Sequence, residues 1–200
     1  MELVCSDLES VLFPEIWPNI AKRTKIKDLE LTTRDIPNYE ALMEKRLKAL
    51  EEHKVRFRDI QKIIHNLKPL RGAVSFLNHL RKKFQVIILT DSFYEFMGPV
   101  MERFSYPTIF CNSLEISKDG FIKNCQIKKN LKLKAVKFLK RIGFKVIAVG
   151  DSYNDLGMLK EADLGILFNP SKKLIKQLPE LPAAKNYSEV KSILKNDLSA

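Results

Sequence analysis

A chain of 200 residues, 45% hydrophobic and 30% charged with both signs mixed throughout, describes one compact domain or a core with a small insertion, and excludes a disordered polymer. Its longest apolar runs, such as Val86–Leu89, are too short to span a bilayer, and no basic-then-apolar leader precedes Leu3, so a cytoplasmic protein without membrane association is expected. The net charge of +11 admits nucleic acid or small anionic substrates as partners, but the lysines are scattered, those from Lys123 to Lys145 fall largely on the wet face of a helix, and no aromatic side chains are interleaved to stack bases, so nucleic-acid binding is not expected.

In chain order, Leu3–Ser6 reads as a first strand. Three helical patterns follow, Pro14 to Thr24, Asn38 to Glu52 and Phe57 to Leu67, with Pro37 and Asn38 punctuating the entry to the second. Gln85–Leu89 is a buried strand, followed by a helical stretch from Phe93 to Phe104 and a strand at Thr108–Cys111. Leu114–Ile116 and Phe121–Lys123, joined by Ser117-Lys118-Asp119-Gly120, read as a hairpin with an Asp-Gly turn. Leu131 to Ile142 is helical, its stripe formed by Leu131, Ala135, Phe138, Leu139 and Ile142. Lys145–Val149 and Leu164–Leu167 complete the strands. Strands separated by helices imply an α/β fold with a doubly wound, Rossmann-like parallel sheet. The all-helical stretch after the first strand reads as a cap, giving a core of residues 1–12 and 69–200 and a cap of residues 13–68. Cys5, Cys111 and Cys125, odd in number and widely spaced, read as buried reduced thiols rather than disulfides or a zinc site.

In an open α/β sheet, ligands bind outside the carboxyl ends of the strands. The residues that follow the strands are Asp7-Leu8-Glu9, Thr90-Asp91-Ser92 and Gly150-Asp151-Ser152-Tyr153-Asn154-Asp155. Any one of these aspartates alone is an ordinary turn or helix-cap residue, as Thr90 is an ordinary N-cap. Arriving together at three strand ends, the carboxylates need a cation between them, and a hard, oxygen-seeking ion such as Mg²⁺ suits them. With phosphoryl charge so neutralised, Asp7 serves as a nucleophile and Glu9, two residues on, as general acid and base. Asp151 and Asp155 offer a metal ligand and a supporting carboxylate.

These blocks resemble the four motifs of the haloacid dehalogenase-like hydrolases. Together with Pro14-Glu15-Ile16-Trp17, Thr32-Thr33-Arg34-Asp35-Ile36-Pro37 and Asp91-Ser92-Phe93-Tyr94-Glu95-Phe96, they are most similar to the phosphoserine phosphatase branch whose members also transfer phosphate from phosphoserine to homoserine. The likeness weakens after Pro170. It implies that Asp7, Glu9 (through its backbone carbonyl), Asp151 and Asp155 form the Mg²⁺ site. It further implies that Thr90 and the Asp91 N–H hold the phosphoryl group, that Lys132 neutralises it, and that Asn154 touches phosphate or substrate. From the helical segment, Glu15 would bind the ammonium of L-phosphoserine and Arg46 its carboxylate. Glu9 stands where most of the superfamily carries Asp, a trait this branch shares. Spacing before Ala135-Val136 favours Lys132, while Lys128, Lys129 and Lys134 crowd the same stretch. The alternatives are a phosphatase for another small phosphomonoester and a basic binding module with an inactive fold. The expected partners are L-phosphoserine and homoserine, with a homodimer compatible with the sequence.

Overall fold

The computed structural model describes residues 1–33, 35–36 and 38–197. Strand β1, Glu2–Ser6, is buried along Leu3–Ser6 and pairs in parallel on both sides, with β2 (Gln85–Phe93) and β5 (Lys145–Gly150). Its side chains alternate between the two faces: Val4 enters one hydrophobic core, while Leu3 and Cys5 enter the other. Such two-sided burial is what an apolar run inside a parallel sheet requires. Around this centre the sheet has seven strands in the order β4-β3-β2-β1-β5-β6-β7, where β3 is Thr108–Ile116, β4 Ile122–Gln126, β6 Leu164–Phe168 and β7 Ala183–Ala184. All pairings are parallel except β3 with β4. The strand order reverses at β1, so the crevice at its carboxyl end is the place for a ligand.

The helices cover both faces. Helix α4 (Ala73–Arg81), α5 (Gly98–Arg103) and α9 (Tyr187–Asp197) pack on the Val4 side, and α6 (Leu131–Arg141), α7 (Leu156–Glu161) and α8 (Lys172–Gln177) on the other. Tyr187 anchors α9 by stacking between Phe76 and Phe168, and its hydroxyl donates to the Val11 carbonyl at 2.7 Å. Between β1 and α4 lie α1 (Ile16–Thr24), a 3₁₀ turn at Lys27–Glu30, α2 (Tyr39–Glu52) and α3 (Phe57–His65), with no strand among the described residues of this stretch. Asn38 caps α2, its side-chain oxygen accepting from the Ala41 N–H. Arg34, and Pro37 with its expected role at the entry to this helix, lie outside the described residues.

Several elements differ from the sequence reading. Strand β2 runs on to Phe93, and α5 begins only at Gly98, next to the Pro99 that suits a first helical turn. The reason is aromatic packing: Phe93 and Phe96 are buried, edge to face with each other, and Phe96 also meets Trp17. The short strand at Thr108 and the first hairpin arm are one strand, β3, whose first half pairs with β2 and whose second half pairs with β4. The hairpin turn is closed by the Gly120 N–H donating to Ser117 O, with Gly120 at φ +84°. In α6 the buried stripe is Lys132, Ala135, Val136 and Leu139, while Phe138 and Ile142 are 50% and 53% exposed. The helix is turned so that Lys132 points inward. Cys5 is buried, and burial pushes its thiol up to about 12, but Cys111 and Cys125 are only half-buried. Helices α4, α7, α8 and α9 and the short β7 were not anticipated. Among the described residues no helix is long and apolar enough to cross a membrane.

Strand β6 must pass close under α7. A Cβ on Gly165 would lie 2.2 Å from the Leu159 carbonyl oxygen, a backbone atom that cannot swing away. Gly165→Ala is therefore expected to destabilise the fold by about 2–3 kcal/mol, the upper range for overpacking. At this chain length that is roughly a 4–12 °C fall in melting temperature. Gly98→Ala, with nothing within 4 Å of the new Cβ, is the control expected to be neutral. Thermal denaturation of both variants checks the pair.

Candidate active site

The register of β1 sets the site. Ser6 pairs with Ile88 on β2 and with Val149 on β5, so the next residue of each strand, Asp7, Leu89 and Gly150, marks one level at the sheet's carboxyl edge. The Asp7 N–H continues the ladder by donating to Val149 O at 2.8 Å, and its buried carboxylate accepts from the Leu8 N–H at 2.7 Å through Oδ1. Lys132, 3% exposed, reaches across from the first turn of α6. Its Nζ lies 2.9 Å from Asp7 Oδ1, 2.7 Å from Asp155 Oδ1 and 3.6 Å from Asp91 Oδ2. The crowding lysines go elsewhere: Lys128 donates to Cys111 O, Lys129 pairs with Glu40, and Lys134 is exposed.

Asp155 organises the β5 loop. Its Oδ2 accepts from the N–H groups of Asp151 and Ser152 at 3.0 and 3.1 Å, and Ser152 closes a capping box with it over the 3₁₀ turn Tyr153–Asp155. The loop can fold this tightly only because residue 150 is glycine: a Cβ there would meet the Asp155 Cβ and Cγ at 2.5 Å. Asn154, exposed, donates from Nδ2 to Asp91 Oδ2 at 2.9 Å, and its Oδ1 accepts from the Ser152 hydroxyl.

On the β2 side, buried Thr90 accepts the Ser92 N–H on Oγ1 at 3.2 Å, which leaves its own hydroxyl proton to be donated outward. The Asp91 carbonyl accepts from Tyr39 Oη and Asn112 Nδ2. Burial first, then the Asp91 carboxylate, raises the Tyr39 phenol, so it remains a donor. Glu9 turns its carboxylate to the start of α1, where Oε2 accepts the Ile16 N–H at 2.8 Å. Burial raises its carboxyl, opposed by that N–H.

The helical segment supplies Glu15 and Arg46. Glu15 is exposed at the α1 N-terminus and accepts from Ser10 Oγ at 3.3 Å. Arg46 is 5% exposed, stacked 4.7 Å above the Trp17 ring, with Nη2 donating to Leu31 O at 2.7 Å. No carboxylate is paired with it among the described residues, and its Nε has no partner. Burial lowers its pKa, while Tyr39, Glu9 and Glu15 facing it act in the opposite sense. A buried donor left without a partner is uncommon in a folded protein.

The structure thus brings Asp7, Thr90, Asp91, Lys132, Asp151, Asn154 and Asp155 to one rim, with Glu9, Glu15 and Arg46 around α1 and α2. Sequence reasoning missed Tyr39 and Asn112. Tyr39 directly follows a helix cap and was legible as a first-turn residue; Asn112 lies mid-strand and carries no local signal.

Asp7, Asp151 and Asp155 offer carboxylate oxygens all within 4.8 Å of one another. Burial, then Asp155, raises the Asp7 carboxyl well above the carboxylate range, with Lys132 opposing and Asp151 adding. Burial, then Asp155, likewise push Asp151 up to about 7, with Lys132 opposing and Glu15 adding. Burial alone would neutralise Lys132, but Asp155, Asp7 and Asp91 outweigh it and keep it charged. One ammonium does not balance these carboxylates. An all-oxygen donor set with uncompensated negative charge fits a hard divalent cation such as Mg²⁺. Both oxygens of Asp155 are already engaged, leaving Asp7 and Asp151 as the carboxylates to face the ion.

Residues 1–163 match the family model of the haloacid dehalogenase-like hydrolases. A Pseudomonas aeruginosa protein, phosphoserine phosphatase ThrH, is 47% identical over 192 residues, covering 96% of this chain and 94% of its own. A phosphoserine phosphatase of Pseudomonas syringae pv. tomato is 45% identical over 192 residues, covering 96% of this chain and 81% of its own. Among solved structures, a phospho-aspartyl intermediate analogue of phosphoserine phosphatase superposes with a TM-score of 0.74 at 22% identity, covering 98% of each chain. An apo phosphoserine phosphatase does so at 0.77 and 24%, covering 97% of this chain and 98% of that one. At such identities the superpositions speak for the fold.

The raised carboxyls have a consequence for stability. Asp151, near 7 when folded against 3.8 ordinarily, holds its proton more tightly in the folded than in the unfolded chain. Stability of the metal-free protein therefore falls as pH rises through that window, and Asp7 acts in the same sense. The melting temperature in chelator is expected to decline from pH 5 to pH 8, and the gain on adding Mg²⁺ to grow over the same interval. A metal-free melting temperature that climbs across it would contradict the cluster.

Proposed function

The chain belongs to the haloacid dehalogenase-like hydrolases, and from that membership we propose that it is a Mg²⁺-dependent phosphoserine phosphatase that forms an aspartyl-phosphate on Asp7 and also passes the phosphoryl group to homoserine. The observation that carries the reading is the buried Asp7–Lys132–Asp155 cluster beside an Arg46 that has no anionic partner among the described residues. The relatives named as phosphoserine phosphatases support the substrate. Residues 13–68 act as a cap over a core of residues 1–12 and 69–200. The three free cysteines suit a reducing cytoplasm.

In this mechanism the phosphoryl group rests between the Thr90 hydroxyl, the Asp91 N–H and the Lys132 ammonium, donors held in place before charge develops. The Leu8 N–H and Lys132 hold the Asp7 carboxylate through Oδ1, so that one of its oxygens attacks phosphorus while the other would face the ion. Attack forms the acyl phosphate and breaks the P–O bond to serine. Glu9, whose carboxyl is raised by burial, acts as the general acid and gives a proton to the departing serine oxygen. The resulting carboxylate then takes a proton from the incoming water or homoserine hydroxyl, which attacks phosphorus and releases Asp7. Bound Mg²⁺, held by Asp7, Asp151 and the Glu9 carbonyl with Asp155 in support, supplies Lewis-acid neutralisation of the phosphoryl charge. Asn154 steadies Asp91 and borders the phosphate. Glu15 receives the substrate ammonium and Arg46 its carboxylate.

Losing a charge-assisted pair costs about 1.5–3 kcal/mol, roughly ten- to hundredfold in rate or affinity. Arg46→Ala is expected to lose that much kcat/KM on phosphoserine while hydrolysing an aryl phosphate, which has no carboxylate, nearly as wild type. Equal losses on both would assign Arg46 to folding alone.

If one intermediate serves both acceptors, homoserine competes with water for it. Added homoserine should lower phosphate release per phosphoserine consumed, with O-phosphohomoserine making up the difference and serine tracking total consumption. Product analysis by ³¹P NMR decides it: no O-phosphohomoserine at saturating homoserine leaves hydrolysis alone.

A further inference from the structure

Thr90–Ser92 lies where β2 leaves its ladder with β3. Leu89 pairs with Phe110 and Phe93 with Asn112, so β2 advances four residues (89 to 93) while β3 advances two (110 to 112). Such bulges free backbone groups from strand pairing and recur beside active sites. Here side chains meet the freed groups. The Asp91 carbonyl accepts from Tyr39 Oη at 2.9 Å and from Asn112 Nδ2 at 2.7 Å. On the other side of the same peptide, the Ser92 N–H donates to Thr90 Oγ1.

The two donors come from different parts of the molecule. Asn112 belongs to β3, is 1% exposed, and its Oδ1 also accepts the Lys128 N–H at 2.8 Å, tying this peptide to the loop that leads into α6 and Lys132. Its grip does not depend on the helical segment. Tyr39 opens α2, and Arg46 follows seven residues later, two turns along the same face. Its grip exists only while α2 is seated on the core.

We infer that Tyr39 is a positioning residue that couples the two ends of the site: its hydroxyl locks the Asp91–Ser92 peptide when α2 is seated, and with it the Thr90 hydroxyl. The inference rests on the proposed phosphoserine reading, in which Arg46 binds the carboxylate. A substrate that engages Arg46 holds α2 in place and thereby completes the phosphoryl-binding end. A phosphate ester without a carboxylate leaves α2 seated by its own contacts to the core alone, and so draws less on the Tyr39 grip.

Tyr39→Phe removes the hydroxyl and keeps the ring. With Mg²⁺ present, kcat/KM for phosphoserine is expected to fall roughly three- to tenfold, as for loss of a neutral hydrogen bond, while that for p-nitrophenyl phosphate stays within about twofold. Asn112→Ala should weaken both substrates alike; should it fail to fold, Tyr39→Phe decides by itself. Equal losses on both substrates in Tyr39→Phe, or none on phosphoserine, would overturn the coupling. If the wild-type chain hydrolyses the aryl ester and not phosphoserine, the substrate reading fails separately. The lock is then read from amide hydrogen exchange over residues 90–93 in the Mg²⁺-loaded protein, where faster exchange in Tyr39→Phe supports it and unchanged exchange overturns it.

Discussion

Lys132 carries its ammonium into the interior of the protein and meets Asp155 at 2.7 Å and Asp7 at 2.9 Å. A charge so placed is tolerated only when its partners are fixed around it. Much of the architecture follows from holding this arrangement. Helix α6 turns Lys132 inward beside Ala135, Val136 and Leu139, and leaves Phe138 and Ile142 to solvent. The Asp155 carboxylate is gripped by two backbone N–H groups, which demands a loop so tight that residue 150 has no room for a Cβ. Asp7 is set against the cluster by the last rung of the β1–β5 ladder.

The sign of the local charge opposes that of the molecule. The chain carries +11 overall, yet the site gathers Asp7, Asp91, Asp151 and Asp155 around a single lysine. Much of the excess positive charge lies on exposed lysines, whose ion pairs, such as Lys45–Asp28 and Lys160–Glu180, are solvated and contribute little to stability. Their collective field attracts small anions towards the protein. At close range the carboxylates that orient Lys132 reverse the sign of that field, and their oxygen donors suit a hard cation.

The helical segment packs on the core without adding a strand to the sheet. Arg46 is held on the Trp17 ring, by the Leu31 carbonyl and by Met43 Sδ, and its Nε stays buried without a partner. The contacts that seat this segment run to the β2–β4 side of the sheet: Tyr39 to Asp91 on β2, the Phe57 N–H to Gly120 at the hairpin turn, and Glu51 to Lys123 on β4. The hairpin, peripheral to the parallel sheet, is thus a support for the helices above the site.

The residues at the strand ends were legible because they depend on local rules. A short apolar run ended by Asp7, Thr90 or Gly150-Asp151 marks where a parallel strand stops, and the carboxyl edge of an α/β sheet is where ligands bind. Asn38 as a helix cap and Asp119-Gly120 as a hairpin turn were equally local. Tertiary structure alone decided the rest. Periodicity marks which residues share a face of α6, but not which of two comparable faces turns inward; the carboxylates waiting across the crevice chose the one bearing Lys132. Strand β2 could be read as ending at Leu89, since nothing local reveals that Phe93 and Phe96 are drawn into a shared core. Asn112 and Tyr39, 73 positions apart, converge on one carbonyl because the bulge leaves it unpaired there, and an unpaired group summons its partner through space rather than along the chain.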